Sequence, residues 1–173
     1  MVVTSLPSCA RDEQTSVAPV LQNPQRSAED RKRDARSRPD VVVAMLELKP
    51  GEQVLDVLTG GGYYSQILAG VVGSAGRVLA HNNYAYRKWV GPNIEERFAG
   101  LGLSQVTLYD RELHSLDLAP GSLDAVLIVA AYHDLYFVDE ANDCVETGGG
   151  CLIFTDDIDE AYVLNVAWRV RIG

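Results

Sequence analysis

One stretch leaves this chain little freedom in how it folds: Gln53-Val-Leu-Asp-Val-Leu-Thr-Gly-Gly-Gly-Tyr-Tyr-Ser-Gln-Ile-Leu-Ala69. Val54, Leu55, Val57 and Leu58 form a short apolar run, as in a parallel strand covered on both faces. Gly60, Gly61 and Gly62 then allow a tight turn and a close approach of backbone to ligand, with no Cβ in the way. Tyr63, Ile67, Leu68, Val71 and Val72 recur at helical spacing, which predicts a helix starting where the glycines stop. The first amide N–H groups of such a helix point back into the turn. Asp56 is the one charge inside the apolar run, and a carboxylate there is costly unless the strand end opens onto something that uses it. The pattern predicts a nucleotide-type cofactor site at the first βα turn of an open α/β sheet.

The rest of the chain supports that fold class. Ser27 with Asp30 fits a capping box for a helix to about Ser37. Pro39 ends it and opens a second helix with Val42, Val43, Leu46 and Leu48 on its apolar face. Further strands are predicted at Arg77–His81, Gln105–Tyr109, Leu123–Val129 and Cys151–Thr155, with a short helix over Ile94–Leu101. Alternation of strands and helices from Gln53 to Thr155 predicts an α/β, Rossmann-like three-layer sandwich with a mostly parallel sheet. Residues 1–26, rich in Ser, Pro, Gln and Thr, read as a flexible tail, and 27–173 as the folded domain.

With these motifs in view, the segment from about Arg31 to Leu135 resembles the class I S-adenosylmethionine-dependent methyltransferases. More narrowly, it is similar to a bacterial group of predicted methyltransferases with a glycine-triplet-plus-aromatic first motif and a Tyr-His-Asp segment after the fourth strand. The resemblance implies S-adenosylmethionine as cofactor, with Asp56 opening the first motif and Thr59, Gly60, Gly61, Gly62 and Tyr63 around the cofactor. Leu58 departs from the broad pattern, which usually has its first glycine there. At the end of the second strand an acidic residue commonly holds the ribose hydroxyls, and Asn82 stands in that region here. An amide can accept one such bond but forfeits the strength of a charged acceptor. Asp110, after the third strand, is the candidate beside the adenine.

The fourth strand leads into Ala130-Ala-Tyr-His-Asp-Leu135, on the same sheet edge as the glycines. His133 and Asp134 are the candidate catalytic pair. A neutral His133 could take a proton from the attacking group, with Asp134 orienting it, and Tyr132 would line the substrate side. Compared with the family, the crossover after the fourth strand is short and the antiparallel C-terminal strands are expected to be missing. A bare sheet edge could be covered by a second copy of the chain, which predicts a homodimer.

Composition bounds the function. The 173 residues carry a net charge of −9, against broad nucleic-acid binding. A local excess of three positive charges between Arg26 and Arg38 reads as a solvated helix face, with a nucleic-acid arm as the alternative. Cys9, Cys144 and Cys151 have no metal or disulfide spacing, and the acidic cluster Asp156, Asp157, Asp159 and Glu160 reads as a solvated turn, so no metal is expected. No apolar run approaches a membrane span. The chain as given is expected in the cytoplasm, or in the periplasm as a lipid-anchored protein if the true start lies upstream of Leu6-Pro-Ser-Cys9-Ala. The leading function is methyl transfer from S-adenosylmethionine to a small-molecule acceptor. A non-catalytic, diverged binding or scaffold protein is the first alternative. An NAD-dependent oxidoreductase is the second, because Gly60 and Gly62 fit G-x-G-x-x-G until Ser65 takes the third glycine's place. Tyr84 and Lys88 have the Y-x-x-x-K spacing of short-chain dehydrogenases, but directly after the second strand and not after the fourth.

Overall fold

The computed structural model describes residues 16–131, Asp134, and the backbone of residues 165–169. Five strands, β1 (Gln53–Val57), β2 (Arg77–Asn82), β3 (Val106–Asp110), β4 (Ala125–Val129) and β5 (Asn165–Arg169), form one sheet in the order β3-β2-β1-β4-β5. The first four pair in parallel, with Val54 opposite both Val78 and Ala125. The helices are α1 (Ala18–Leu21), α2 (Ala28–Ser37), α3 (Pro39–Ala44), α4 (Tyr63–Val72), α5 (Tyr84–Val90) and α6 (Asn93–Gly100). This is the expected α/β, Rossmann-like architecture.

Alternation along the strands divides the core. Val54, Val78, Ala125 and Leu127 pack with Val43, Leu46, Ile67, Leu68 and Val72 on one face of the sheet. Leu55, Val57 and Leu79 pack with Tyr86 and with Leu113, Leu116, Leu118 and Leu123 on the other. β1 is therefore apolar on both faces, as a central parallel strand must be. Asp56, two residues from Val54, shares the face covered by α4.

Local signals set most boundaries. Ser27 Oγ accepts from the amide of Asp30 at 3.0 Å and caps α2, a contact worth about 1 kcal/mol. Pro39 sits in the first turn of α3, where its missing N–H costs nothing. Asn83 caps α5 by accepting from the amide of Tyr86 at 2.9 Å.

Three differences from expectation have physical causes. Val17 and Arg26 lie buried within the stretch expected to be a loose tail, so residues 17–26 belong to the fold. The Arg26 guanidinium makes a bidentate ion pair with Asp34 at 2.6 and 2.7 Å, and α1 packs on α4. Local composition hides this because the partners lie on α2 and α4. An antiparallel strand expected to be missing is present: β5 pairs with β4, Asn165 opposite Val129 and Arg169 opposite Ala125. Its sequence, with Val166 and Trp168 at alternate positions, has strand-type composition that the preceding acidic run obscures. The edge of β4 is thus paired within the chain, and the bare edge from which a homodimer was expected is not there. The strand expected at Cys151–Thr155, the short crossover before it, the acidic cluster and all three cysteines lie outside the described residues.

Candidate active site

Gly60, Gly61 and Gly62 follow β1 at its carboxyl end and lead directly into α4. Gly62 has φ of +83°, and a Cβ on it would lie 2.5 Å from the Phe98 ring of α6. Only glycine fits that backbone and that space. Gly61 is exposed, and a Cβ there would meet nothing within 4 Å. The Gly62 amide donates to Thr59 O at 3.2 Å, whereas the Gly61 amide has no acceptor among the described residues. The turn thus presents one bare backbone segment to open space beside a helix start, the property a cofactor cradle needs.

Leu58 takes the glycine's conformation without being glycine. Its φ is +52°, and its side chain is buried against Leu55, Leu79 and Tyr86. Left-handed backbone costs a non-glycine residue on the order of 1–2 kcal/mol, which burial of the leucine offsets. His81 holds the strained peptide: Leu58 N–H donates to His81 Nδ1 at 3.2 Å, and His81 Nε2 lies 2.9 Å from Arg111 O. Those partners fix the neutral ring with its proton on Nε2. Burial lowers the pKa of His81 further below the usual histidine range.

Asp56 caps α4 from the neighbouring strand. Its Oδ2 accepts from the hydroxyls of Thr59 at 2.6 Å and Ser65 at 2.7 Å, and its carboxyl also accepts from the Ser65 amide. Burial pushes its pKa up to about 6 despite those three donors. The two oxygens of Thr59 and Ser65 are themselves 2.8 Å apart. Ser65, which breaks the G-x-G-x-x-G pattern, is thereby accounted for as a buried partner of Asp56.

The other expected contacts are placed as follows. Asn82 is fully buried, and its amide turns to the glycine turn: Oδ1 accepts from Gly60 N at 3.0 Å and Nδ2 donates to Gly60 O at 3.1 Å. In this structure it braces the turn, because a side chain with both a donor and an acceptor matches both groups of one peptide residue. Tyr63 faces away from the turn toward α2; its hydroxyl donates to Asp34 at 2.6 Å and its ring lies under Arg33 at 4.2 Å. Tyr63 is 3% exposed, so it is a packing residue rather than a lining one. Asp110, at the end of β3, is exposed and pairs with Arg87 Nε at 3.1 Å. Asp134 is buried after β4 and accepts a short hydrogen bond from Tyr86 of α5. Burial, and then that bond, hold the pKa of the Tyr86 hydroxyl well above the usual tyrosine range. Tyr132 and His133 lie outside the described residues. Asp56, Thr59, Gly60 and Asn82 are brought together; Tyr63 and Asp110 are not part of that group.

Two residues of this edge were not expected. Tyr86 ties α5 to the segment after β4, and Trp89, 61% exposed, stands over Gly60. Position alone could have pointed to them, since the segment after the second strand of such a sheet begins on the cofactor edge.

A parallel sheet with a glycine turn and helix start at the carboxyl end of its central strand defines a nucleotide-cofactor α/β protein. Residues 13–88 match the family model of protein-L-isoaspartate(D-aspartate) O-methyltransferase. A crystal structure of a SAM-dependent methyltransferase from Aquifex aeolicus is similar, with 27% identity and a TM-score of 0.53 over 62% of this chain and 58% of that one. A SAM-dependent O-methyltransferase from Thermotoga maritima shares 24% identity (TM-score 0.45, 65% and 40% of the two chains). A precorrin-6y C5,15-methyltransferase from Geobacter metallireducens shares 21% (TM-score 0.44, 52% and 46%). No curated protein matches the chain. The chain spans under two thirds of the length of these structural relatives. Over these residues the chain is similar to class I S-adenosylmethionine-dependent methyltransferases, and S-adenosylmethionine is the cofactor that the likeness implies. The open Gly61 backbone fits such a group. Among the described residues no helix is long and apolar enough to cross a membrane, and no cluster of ligands could hold a metal.

Proposed function

We propose that the protein transfers the methyl group of S-adenosylmethionine to a small-molecule acceptor. The observation that carries this reading is the braced glycine turn: a bare, exposed Gly61 between a Gly60 fixed by Asn82 and a Gly62 packed on Phe98. Rigid placement is what methyl transfer asks of a protein, because the acceptor must stand in line with the sulfur–carbon bond. S-adenosylmethionine supplies the methyl group and a thioether leaving group. This chain's residues supply the cradle and, where the acceptor must lose a proton, a base. Asp134 is held by Tyr86 on the cofactor edge, suited to orient His133, which would take that proton as the new bond forms. The match to a protein-L-isoaspartate(D-aspartate) O-methyltransferase model makes a carboxylate oxygen the first acceptor class to try.

A binding or scaffold role is the second reading. Asn82 and Asp110, the two side chains expected on the ribose and adenine, are both engaged within the chain. Incubation with methyl-labelled S-adenosylmethionine and a panel of small carboxylic acids, phenols and amines separates the two. Label transfer lost in His133→Ala supports the enzyme. Cofactor binding without transfer to any acceptor, and without slow hydrolytic turnover, supports the scaffold.

A further inference from the structure

Trp89 projects from the end of α5 and is 61% exposed. An exposed indole is by itself unremarkable. Its location is specific: Cζ3 of its six-membered ring would be 3.6 Å from a Cβ built on Gly60. The indole is also held from behind. The Tyr86 ring meets it edge to face, with centroids 6.0 Å apart and planes at 81°, and the Tyr86 hydroxyl is anchored on Asp134. The strongest cation on the same helix, Arg87, turns away to Asp110, Glu95 and the Gly91 carbonyl.

A ligand seated on the exposed Gly61 therefore meets the indole, which lies over the buried Gly60, as its next surface. An indole face carries negative electrostatic potential and attracts a cation such as a sulfonium; it also stacks on a planar base. We propose that Trp89 is a cofactor-contacting residue, forming the aromatic wall of the glycine-turn site against S-adenosylmethionine. The proposal rests on the cofactor assignment above. It also gives α5 a purpose: Tyr86 and Trp89, three residues apart, share one helix face and join the turn after β1 to the segment after β4.

The chain has two tryptophans, Trp89 and Trp168, so Trp168→Phe isolates the emission of Trp89. The wild-type minus Trp89→Phe difference spectrum gives the same signal if that variant misfolds. Titration with S-adenosylmethionine and with S-adenosylhomocysteine, followed by fluorescence and calorimetry, tests the contact. The expected result is saturable quenching of Trp89 with the calorimetric Kd. Trp89→Ala should weaken binding roughly tenfold at unchanged melting temperature, and Trp89→Phe should restore most of it. A larger loss for the sulfonium than for the thioether places the indole at the sulfur; an equal loss places it at the purine. Binding by wild type with unchanged Trp89 emission, and a Kd within twofold in Trp89→Ala, overturns the proposal alone. No binding by wild type overturns the cofactor assignment and this proposal together.

Discussion

The side-chain amide of Asn82 makes both hydrogen bonds that the Gly60 peptide groups can offer, accepting from N at 3.0 Å and donating to O at 3.1 Å. A carboxylate at this position would have no proton for Gly60 O and would bring a buried charge against it. Asn82→Asp, which restores the acid usual at the end of the second strand, should therefore weaken rather than strengthen the site. The expected loss is about 2–3 kcal/mol of folding stability in urea titration, with weaker cofactor binding. An aspartate variant as stable as wild type, binding more tightly, would show that the brace is dispensable.

Asp34 is the hub between α2 and α4. It receives the Arg26 guanidinium on two bonds and the Tyr63 hydroxyl at 2.6 Å. Arg26 is 2% exposed, so Asp34→Ala leaves a buried cation without its counter-ion. That change should destabilise by about 3 kcal/mol, while the double change with Arg26→Met should recover part of the loss. The Arg26 hydrogen bonds lower the pKa of Asp34 below the usual carboxylate range. Its contribution is present above the unfolded-state pKa and lost as pH falls through the folded one. Chemical denaturation of wild type and both variants between neutral pH and pH 3 checks this.

Asp56 behaves oppositely. With its pKa raised from 3.8 to about 6 by burial, the folded chain holds a proton that the unfolded chain releases. Its share of stability is greatest below about pH 4 and declines as pH rises to about 6. His81, with its pKa lowered, makes stability rise with pH below its ordinary range and so masks this trend in wild type. The difference between wild type and Asp56→Asn isolates it. That difference should shift against wild type by roughly 2 kcal/mol between pH 4 and pH 7. A pH-independent difference would mean that Asp56 is ionised throughout.

Gly62 combines positive φ with a Cβ position 2.5 Å from the Phe98 ring. Gly62→Ala should cost about 2–4 kcal/mol, part from the left-handed backbone and part from the clash. Phe98→Leu in the same chain should return the second part alone. Thermal melts of the single and double variants measure both.

The fold was legible because its signals are local: the β1 run, the glycine turn, the Ser27 cap and Pro39 each act within a few residues. For the candidate site, the grouping was legible in part: Asp56, Thr59 and the glycines lie together at the end of β1, and Asp134 follows β4 on the same sheet edge. What escaped was decided by partners distant in sequence. Asn82 is drawn to Gly60, Tyr63 to Asp34 and Asp110 to Arg87, and no spacing rule shows which of two polar partners wins. Arg26 and Val17 look like tail residues until α4 is there to receive them. Leu58 looks like a lost glycine, yet it keeps the glycine's φ because His81 holds its amide.

The most direct test is calorimetric titration of wild type and Gly61→Arg with S-adenosylhomocysteine, with NAD as the control ligand. Gly61 faces open space, so arginine there should leave the melting temperature within a few degrees while filling the cradle. Micromolar binding by wild type, none by Gly61→Arg and none of NAD by either is the predicted result. Equal binding of S-adenosylhomocysteine by both folded proteins, or by neither, would contradict a cofactor seated on the glycine turn.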